Sequence, residues 1–444
     1  MGPRDIPSRT TITDEIYSKS LRVKGLMQEK FKTLESAVSF TFDAGTSRAF
    51  DPYLTVTAHW IDAEWKLRDQ VLAFREIIGD HSGQNTGAIL IGVLSEYGLA
   101  TPDKLGWGTA DNSTVCDKAL RVLGNHVDPS KKRWIPKERR GHCMEHAVHC
   151  ASRAFVNAVG PTPINAIKAA LSRRDDDDDE MRDIEELTAA VDSTDDVADS
   201  DDFDPADLLG KILAFINQVR SSPQARAYFH KLCKDENLQP LQLLKWIRTR
   251  WASLYDLITR LLDVRQACTK FTLLADEDDK VPKLKPPKTY SMFKLTEREW
   301  KLLMLIREVL KVRHYCFSAY ISILTQVKEP ATACQTFSHA TRPTVYRAFP
   351  VIEFMQQKWE VMAKTSKYAQ VAPALEAGLH NLNKWYKVLD ESDMYFICLV
   401  LDPRVKMAYF KTHWEKKYLD VGIDRLHKAV RLFSYNTILI LLNS

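Results

Sequence analysis

One run of this chain cannot fold alone, and it divides everything around it. Between Asp175 and Asp207 stand 17 acidic residues and a single base, Arg182. Like charges repel there, and little apolar surface is present to offset the entropy of ordering, so residues 173–207 read as a solvated acidic linker. Set apart from the chain's 62 bases and 58 acids, the run leaves a surplus of 20 positive charges on the segments expected to fold. That balance suits a polyanionic partner such as DNA.

The two sides of the linker have different periodicities. On the N-terminal side, residues 1–37 form a polar lead with helical spacing at Ile16, Leu21, Leu26, Phe31 and Leu34, for which Asp14 is the expected cap. Val38, Phe40 and Phe42 then alternate with Ser39, Thr41 and Asp43, the period of a half-buried strand, and Gly45 is expected to turn the chain just past the acid. Residues 53–61 and 65–74 read as a strand pair joined through Asp62-Ala63-Glu64. A helix follows over 85–97, closed by Gly98. A fourth strand ends at Asp111, and a helix runs through Val115, Ala119, Leu120 and Leu123. Two carboxylates at neighbouring strand ends are what a hard divalent cation needs in phosphoryl transfer, because such ions prefer oxygen ligands and keep positions open for phosphate.

Two further stretches carry chemistry. Residues 124–140 interleave Lys131, Lys132, Arg133, Lys137, Arg139 and Arg140 with Trp134, a composition that can grip phosphate and stack on a base. In His142-Cys-Met-Glu-His-Ala-Val-His-Cys150, Cys143, His146 and Cys150 share one helical face. Structural zinc needs a second ligand pair at recognisable spacing, and none is present, so zinc is not expected.

Beyond the linker the pattern is helical over 208–220, 224–233, 241–246, 254–268, 297–323, 350–365 and 372–389, with Trp300, Leu303, Leu305, Val309 and Leu310 as core positions. No apolar run approaches the twenty residues of a membrane span. The N-terminus has no secretory signal, and the cysteines have no disulfide-framework spacing, so a reduced, intracellular setting is expected.

Six segments in order resemble the hAT (hobo–Activator–Tam3) superfamily of DNA transposases. They are Thr41-Phe-Asp-Ala-Gly-Thr-Ser47; Val56-Thr-Ala-His-Trp-Ile-Asp62 with Phe74-Arg-Glu-Ile77; Ala110-Asp-Asn-Ser113; Cys143-Met-Glu-His146; Thr249-Arg-Trp-Ala-Ser-Leu-Tyr255; and Leu401-Asp-Pro-Arg-Val-Lys406. The resemblance implies an α/β plus α protein. Its ribonuclease-H-like mixed-sheet core, here 38–172, would be interrupted by a large all-helical insertion domain, here 208–444. It implies a nuclear protein that binds DNA and cuts it with Mg2+ or Mn2+ held by two Asp and one Glu. Asp43 and Asp111 fall on the two aspartates, His146 on the active-site histidine, and Arg250 and Trp251 on a DNA-handling pair.

Three departures qualify that reading. The family's Ser-Glu-Arg segment, which carries the third acid in the C-terminal dimerisation region, has no counterpart before Ser444. A BED-type zinc finger is missing from the N-terminal side, and Ala252 and Leu254 stand where the family has Asn and Thr. The expectation is therefore a DNA-binding chain truncated at both ends, incompetent in catalysis and with self-association left open. The alternatives are an active Mg2+-dependent nuclease recruiting another acid such as Glu145, or a non-catalytic protein-interaction module.

Overall fold

The computed structural model describes residues 8–47, 51–159, 207–246, 253–325 and 344–431, with side chains left undescribed over 312–325 and 428–431. They fall into two compact units. One comprises Met1–His146, His339–Tyr346 and Lys387–Ser444; the other comprises Ala147–Ser338 and Arg347–Tyr386. The acidic linker, apart from Asp207, lies outside the described residues, as do Arg250 and Trp251.

The first unit is built on a five-stranded sheet in the order β3-β2-β1-β4-β5. Its strands are β1 (Val38–Thr46), β2 (Pro52–Ile61), β3 (Leu67–Glu76), β4 (Leu105–Ala110) and β5 (Arg140–His142). The first three run antiparallel, and β4 and β5 run parallel to β1. A mixed sheet is what the family resemblance implies, and β1 to β4 are the strands expected; β5 falls at the end of the stretch read as a basic loop. The alternation is read directly by the core: Val38, Phe40, Phe42, Leu54, Val56, Ala58 and Trp60 are all buried on one face. Burying each of the larger side chains contributes about 1.5–3 kcal/mol.

Three helices cover that face. Helix α2 (Gly83–Glu96) presents Leu90, Val93 and Leu94; α3 (Thr114–Val127) presents Ala119, Leu120 and Leu123. Helix α1 (Arg9–Thr33) contributes Phe31, whose ring meets Trp60 edge-on at 5.2 Å. Ser8, not Asp14, caps α1, accepting the Thr11 N–H at 3.1 Å. Gly98 does follow α2, at φ +68, where a side chain would strain the backbone.

Two local expectations are corrected here. Asp43 is not at a strand end: β1 continues to Thr46, because the pairing with β2 extends through Gly45↔Tyr53 and Thr46↔Pro52. Trp134 is not a surface base-stacker. It is fully buried, its indole N–H donates to the Gly106 carbonyl at 2.9 Å, and its backbone N–H donates to Asp128 at 3.0 Å. Helix α3 leaves room for this loop at Gly124, where a Cβ would meet Pro136 at 2.3 Å and Trp134 at 3.0 Å. Lys131, Lys132, Arg133 and Lys137 point outward.

Helix α4 (Met144–Val159) follows β5. The second unit continues with α5 (Leu208–Ser221), α6 (Pro223–Asp235), α7 (Ser253–Asp263), α8 (Arg265–Leu274), α9 (Glu297–Thr325), α10 (Ala348–Ala363) and most of α11 (Ala372–Glu391). Phe271 centres one part of its core, with Phe215, Tyr228, Phe229 and Tyr290 rings 5.2–6.0 Å away. Trp300, Leu303, Val309 and Leu310 are buried as expected. Residues 241–246 are irregular rather than helical. They follow Pro240, and their carbonyls accept from other helices: Leu243 from Arg220 and Gln242 from Arg260. The expected 254–268 helix breaks at Val264.

Residues 387–431, read from sequence as part of the helical body 208–444, cluster with the sheet. They include α12 (Asp393–Leu401), α13 (Ala408–His413) and α14 (Lys416–Arg431). The tie is specific. The Tyr395 hydroxyl accepts the His142 N–H at 2.7 Å and donates to the His142 carbonyl at 3.3 Å, while Ser392 donates to the Glu138 carbonyl at 3.1 Å. A pattern of apolar positions shows that a helix is amphipathic, not which surface it covers. Among the described residues no helix is long and apolar enough to cross a membrane.

Candidate active site

The parallel register brings the two aspartates together. Phe40 pairs with Gly108 and Thr41 with Thr109, so two residues further on Asp43 stands beside Asp111. Asp43 has an exposed edge, yet the surrounding protein desolvates its carboxylate and pushes its pKa above the ordinary range. The Asp111 charge adds to that rise, and a hydrogen bond from the Ala44 N–H opposes it. Two like charges this close hold one proton more tightly, the condition a cation relieves.

Asp111 is placed by the end of β4 and the start of α3. Ser113 caps that helix, accepting the Cys116 N–H at 3.2 Å, which fixes the turn that follows the acid. On the other side Arg140, only 4% exposed, spreads its guanidinium beneath the turn. It donates to the carbonyls of Ala110 at 3.0 Å, Gly141 at 2.5 Å and Asp111 at 2.5 Å, and pairs with Asp117 at 3.0 Å. Asn112 donates to the Cys143 carbonyl at 3.0 Å. Its Oδ1 is buried without a hydrogen-bond partner among the described residues. Arg140 was read from sequence only as one cation of a basic loop. Its structural role leaves no spacing signal, because its partners are backbone carbonyls.

His146 enters from the first turn of α4, and its Nδ1 lies 3.9 Å from Asp111 Oδ2. The structure thus gathers Asp43, Asp111 and His146 around one sheet edge. Among the described residues no group of three or more His, Cys, Asp or Glu side chains is arranged to hold a metal ion, so Glu145 does not complete such a set with the aspartates. Cys143 precedes α4, and burial pushes its thiol up to about 12, which works against the thiolate that zinc ligation needs.

Burial and the Arg140 charge lower His142 from 6.5 to about 3. The unfolded chain therefore takes up a proton near pH 6.5 that the folded chain refuses until about pH 3. Stability from this group is present above 6.5 and is lost on acidification, by at most about 1.4 kcal/mol per pH unit across that window. Urea unfolding as a function of pH checks this: His142→Asn should flatten the slope between pH 6 and 4.

Known proteins are similar to this chain in sequence. A family model described as the ZBED1 RNase-like domain matches residues 41–135, the stretch that holds Asp43, Asp111, strands β2, β3 and β4 and most of β1. A Zea mays protein named AC transposase is 21% identical over 430 residues, 96% of this chain and 44% of its own length. Another from Zea mays, named AC9 transposase, is 31% identical over 166 residues, 37% of this chain and 19% of its own. The zinc finger BED domain-containing protein RICESLEEPER 2 of Oryza sativa is 20% identical over 95% of this chain and 48% of its own length. The chain spans less than half the length of these curated relatives.

Proposed function

Because this chain is a hAT-family transposase-like protein, we propose that it acts in the nucleus as a DNA-binding protein that holds a DNA phosphate at the Asp43–Asp111 edge without cutting it. The carrying observation is the coupled carboxylate pair, with Asp43 raised partly by the charge on Asp111. Its donors are hard oxygens on adjacent parallel strands, which fits Mg2+ or Mn2+. Asp43 and Asp111 would hold that ion, which when bound would neutralise charge on the phosphate.

The remaining steps belong to the protein. Arg140 fixes the Asp111 backbone, so the carboxylate is presented rather than searching. His146, within 3.9 Å of Asp111, would orient that carboxylate and offer a proton to phosphate oxygen. Among the described residues no third acid joins the pair, so within them two carboxylates would have to position an attacking water and balance charge on a leaving oxygen. That supports binding over cleavage. Contact with phosphates is assigned to the exposed Lys131, Lys132, Arg133 and Lys137; Arg250 and Trp251, which lie outside the described residues, are assigned to DNA by the family resemblance alone.

The test is a DNA-binding and nicking experiment on purified chain. Binding to duplex should weaken steeply from 50 to 200 mM salt, as counterion release requires, and Mg2+ should produce no nicks. Robust Mg2+-dependent nicking that Asp43→Ala abolishes would overturn the non-cutting reading. No binding even at low salt would instead favour a protein-interaction module.

A further inference from the structure

The face of the sheet that carries Asp43 also carries an aromatic pair that the phosphate site does not use. Tyr53 and Phe74 stack with ring centroids 4.7 Å apart and planes 10° from parallel. Phe74 is 66% exposed, so most of that side chain faces solvent, while Tyr53 is half-buried.

The pairing register places the pair beside the acid. Asp43 lies opposite Thr55, and Thr55 opposite Phe74, one row across three strands. In the next row Gly45 lies opposite Tyr53, and Tyr53 opposite Glu76. Opposed residues share a face and diagonal neighbours sit about 7 Å apart, so Tyr53 is a near neighbour of both Asp43 and Phe74. A Cβ added at Gly45 would meet nothing within 4 Å. Among the described residues, the space above Gly45, in the row that holds Tyr53, is therefore open.

The surrounding charge says what could lie there. Asp43, Asp69 and Glu76 share this face by the same register. Away from the cation proposed at Asp43 and Asp111, Asp69 and Glu76 would repel a phosphate, whereas a flat uncharged ring would stack on the aromatic faces. A nucleobase has that character, and base stacking on aromatic side chains tolerates any sequence.

We propose that Tyr53, Phe74 and the open floor at Gly45 form a platform for an unpaired base of the DNA strand whose phosphate is held at Asp43 and Asp111. The proposal rests on the DNA-binding reading above. A duplex keeps its bases stacked within itself, so the platform discriminates in favour of single-stranded or locally opened DNA.

The experiment measures anisotropy of a labelled oligo-thymidine carrying one 2-aminopurine, against a duplex of equal length, using the full chain. Phe74→Ala and Tyr53→Ala should each weaken single-strand binding about tenfold and relieve 2-aminopurine quenching. Duplex affinity and the salt slope should stay unchanged, since no phosphate contact is lost. Phe74→Trp should restore binding, and Gly45→Val, which fills the floor and leaves both rings, should imitate the losses. The platform is overturned if Phe74→Ala binds the single strand as tightly as the parent, or if it loses single strand and duplex equally. It is also overturned, with DNA binding intact, if the parent binds duplex but does not quench 2-aminopurine. A parent that binds neither probe removes the DNA-binding reading itself, and the platform with it.

Discussion

Arg140→Ala is expected to destabilise the sheet-bearing unit by about 3 kcal/mol, the largest effect of any single polar change around the site. The guanidinium is almost wholly buried and serves three backbone carbonyls as well as Asp117. Alanine would leave the Gly141 and Asp111 carbonyls without that donor, at roughly 1–1.5 kcal/mol each, whereas the Ala110 carbonyl keeps the Cys143 N–H at 3.2 Å. The lost pair with Asp117 adds less, because Asp117 is 44% exposed and water can resolvate it. Lysine should not rescue, since an ammonium cannot reproduce the planar fork that spans Ala110, Asp111 and Gly141. The check is the urea midpoint of Arg140→Ala and Arg140→Lys, read together with the Asp43 carboxyl titration by NMR. If Arg140 positions Asp111, Asp43 should titrate closer to an ordinary carboxylate in both variants. An unchanged midpoint would show that the turn holds itself.

Trp134→Ala should cost about 3–5 kcal/mol, the usual range for deleting a large aromatic from a close-packed interior. The ring fills the space that Gly124 of α3 leaves for it, and its N–H serves the Gly106 carbonyl in β4. Trp134→Phe keeps most of the buried area but drops the hydrogen bond, so a loss of about 1–2 kcal/mol is expected. Any folded variant should bind DNA as tightly as the parent, because the indole is inside. A selective loss of DNA affinity in Trp134→Phe at unchanged stability would mean the ring reaches the ligand after all. Denaturation midpoints and duplex anisotropy on the same samples separate the two outcomes.

Much of the first unit was legible because a strand half in water writes its period into the sequence. Val38, Phe40 and Phe42 alternate, and each is buried. Helices α2 and α3 and the Gly98 stop are legible for the same kind of reason, since local periodicity and backbone conformation need no distant partner. Burial of Trp134 was not legible. A tryptophan among lysines reads as a surface aromatic until its partners, Gly106 and Asp128, come from other elements. The irregular 241–246 stretch and the placement of α12 beside β5 are not legible for the same reason, because each depends on contacts remote in sequence.

Asp43 shows where the division falls. By itself the sequence determined that an acid ends an alternating apolar run, that a second acid stands at the end of a later strand, and that both belong to a recognisable order of segments. Only the tertiary structure decided that β1 lies parallel to β4, so that Asp43 and Asp111 share one edge, and that Tyr53 and Phe74 stand beside them. The reason is physical. Which face a residue occupies follows from its own strand's period of two, whereas its neighbour on that face is set by strand order and register, which are fixed by packing between segments far apart in the chain.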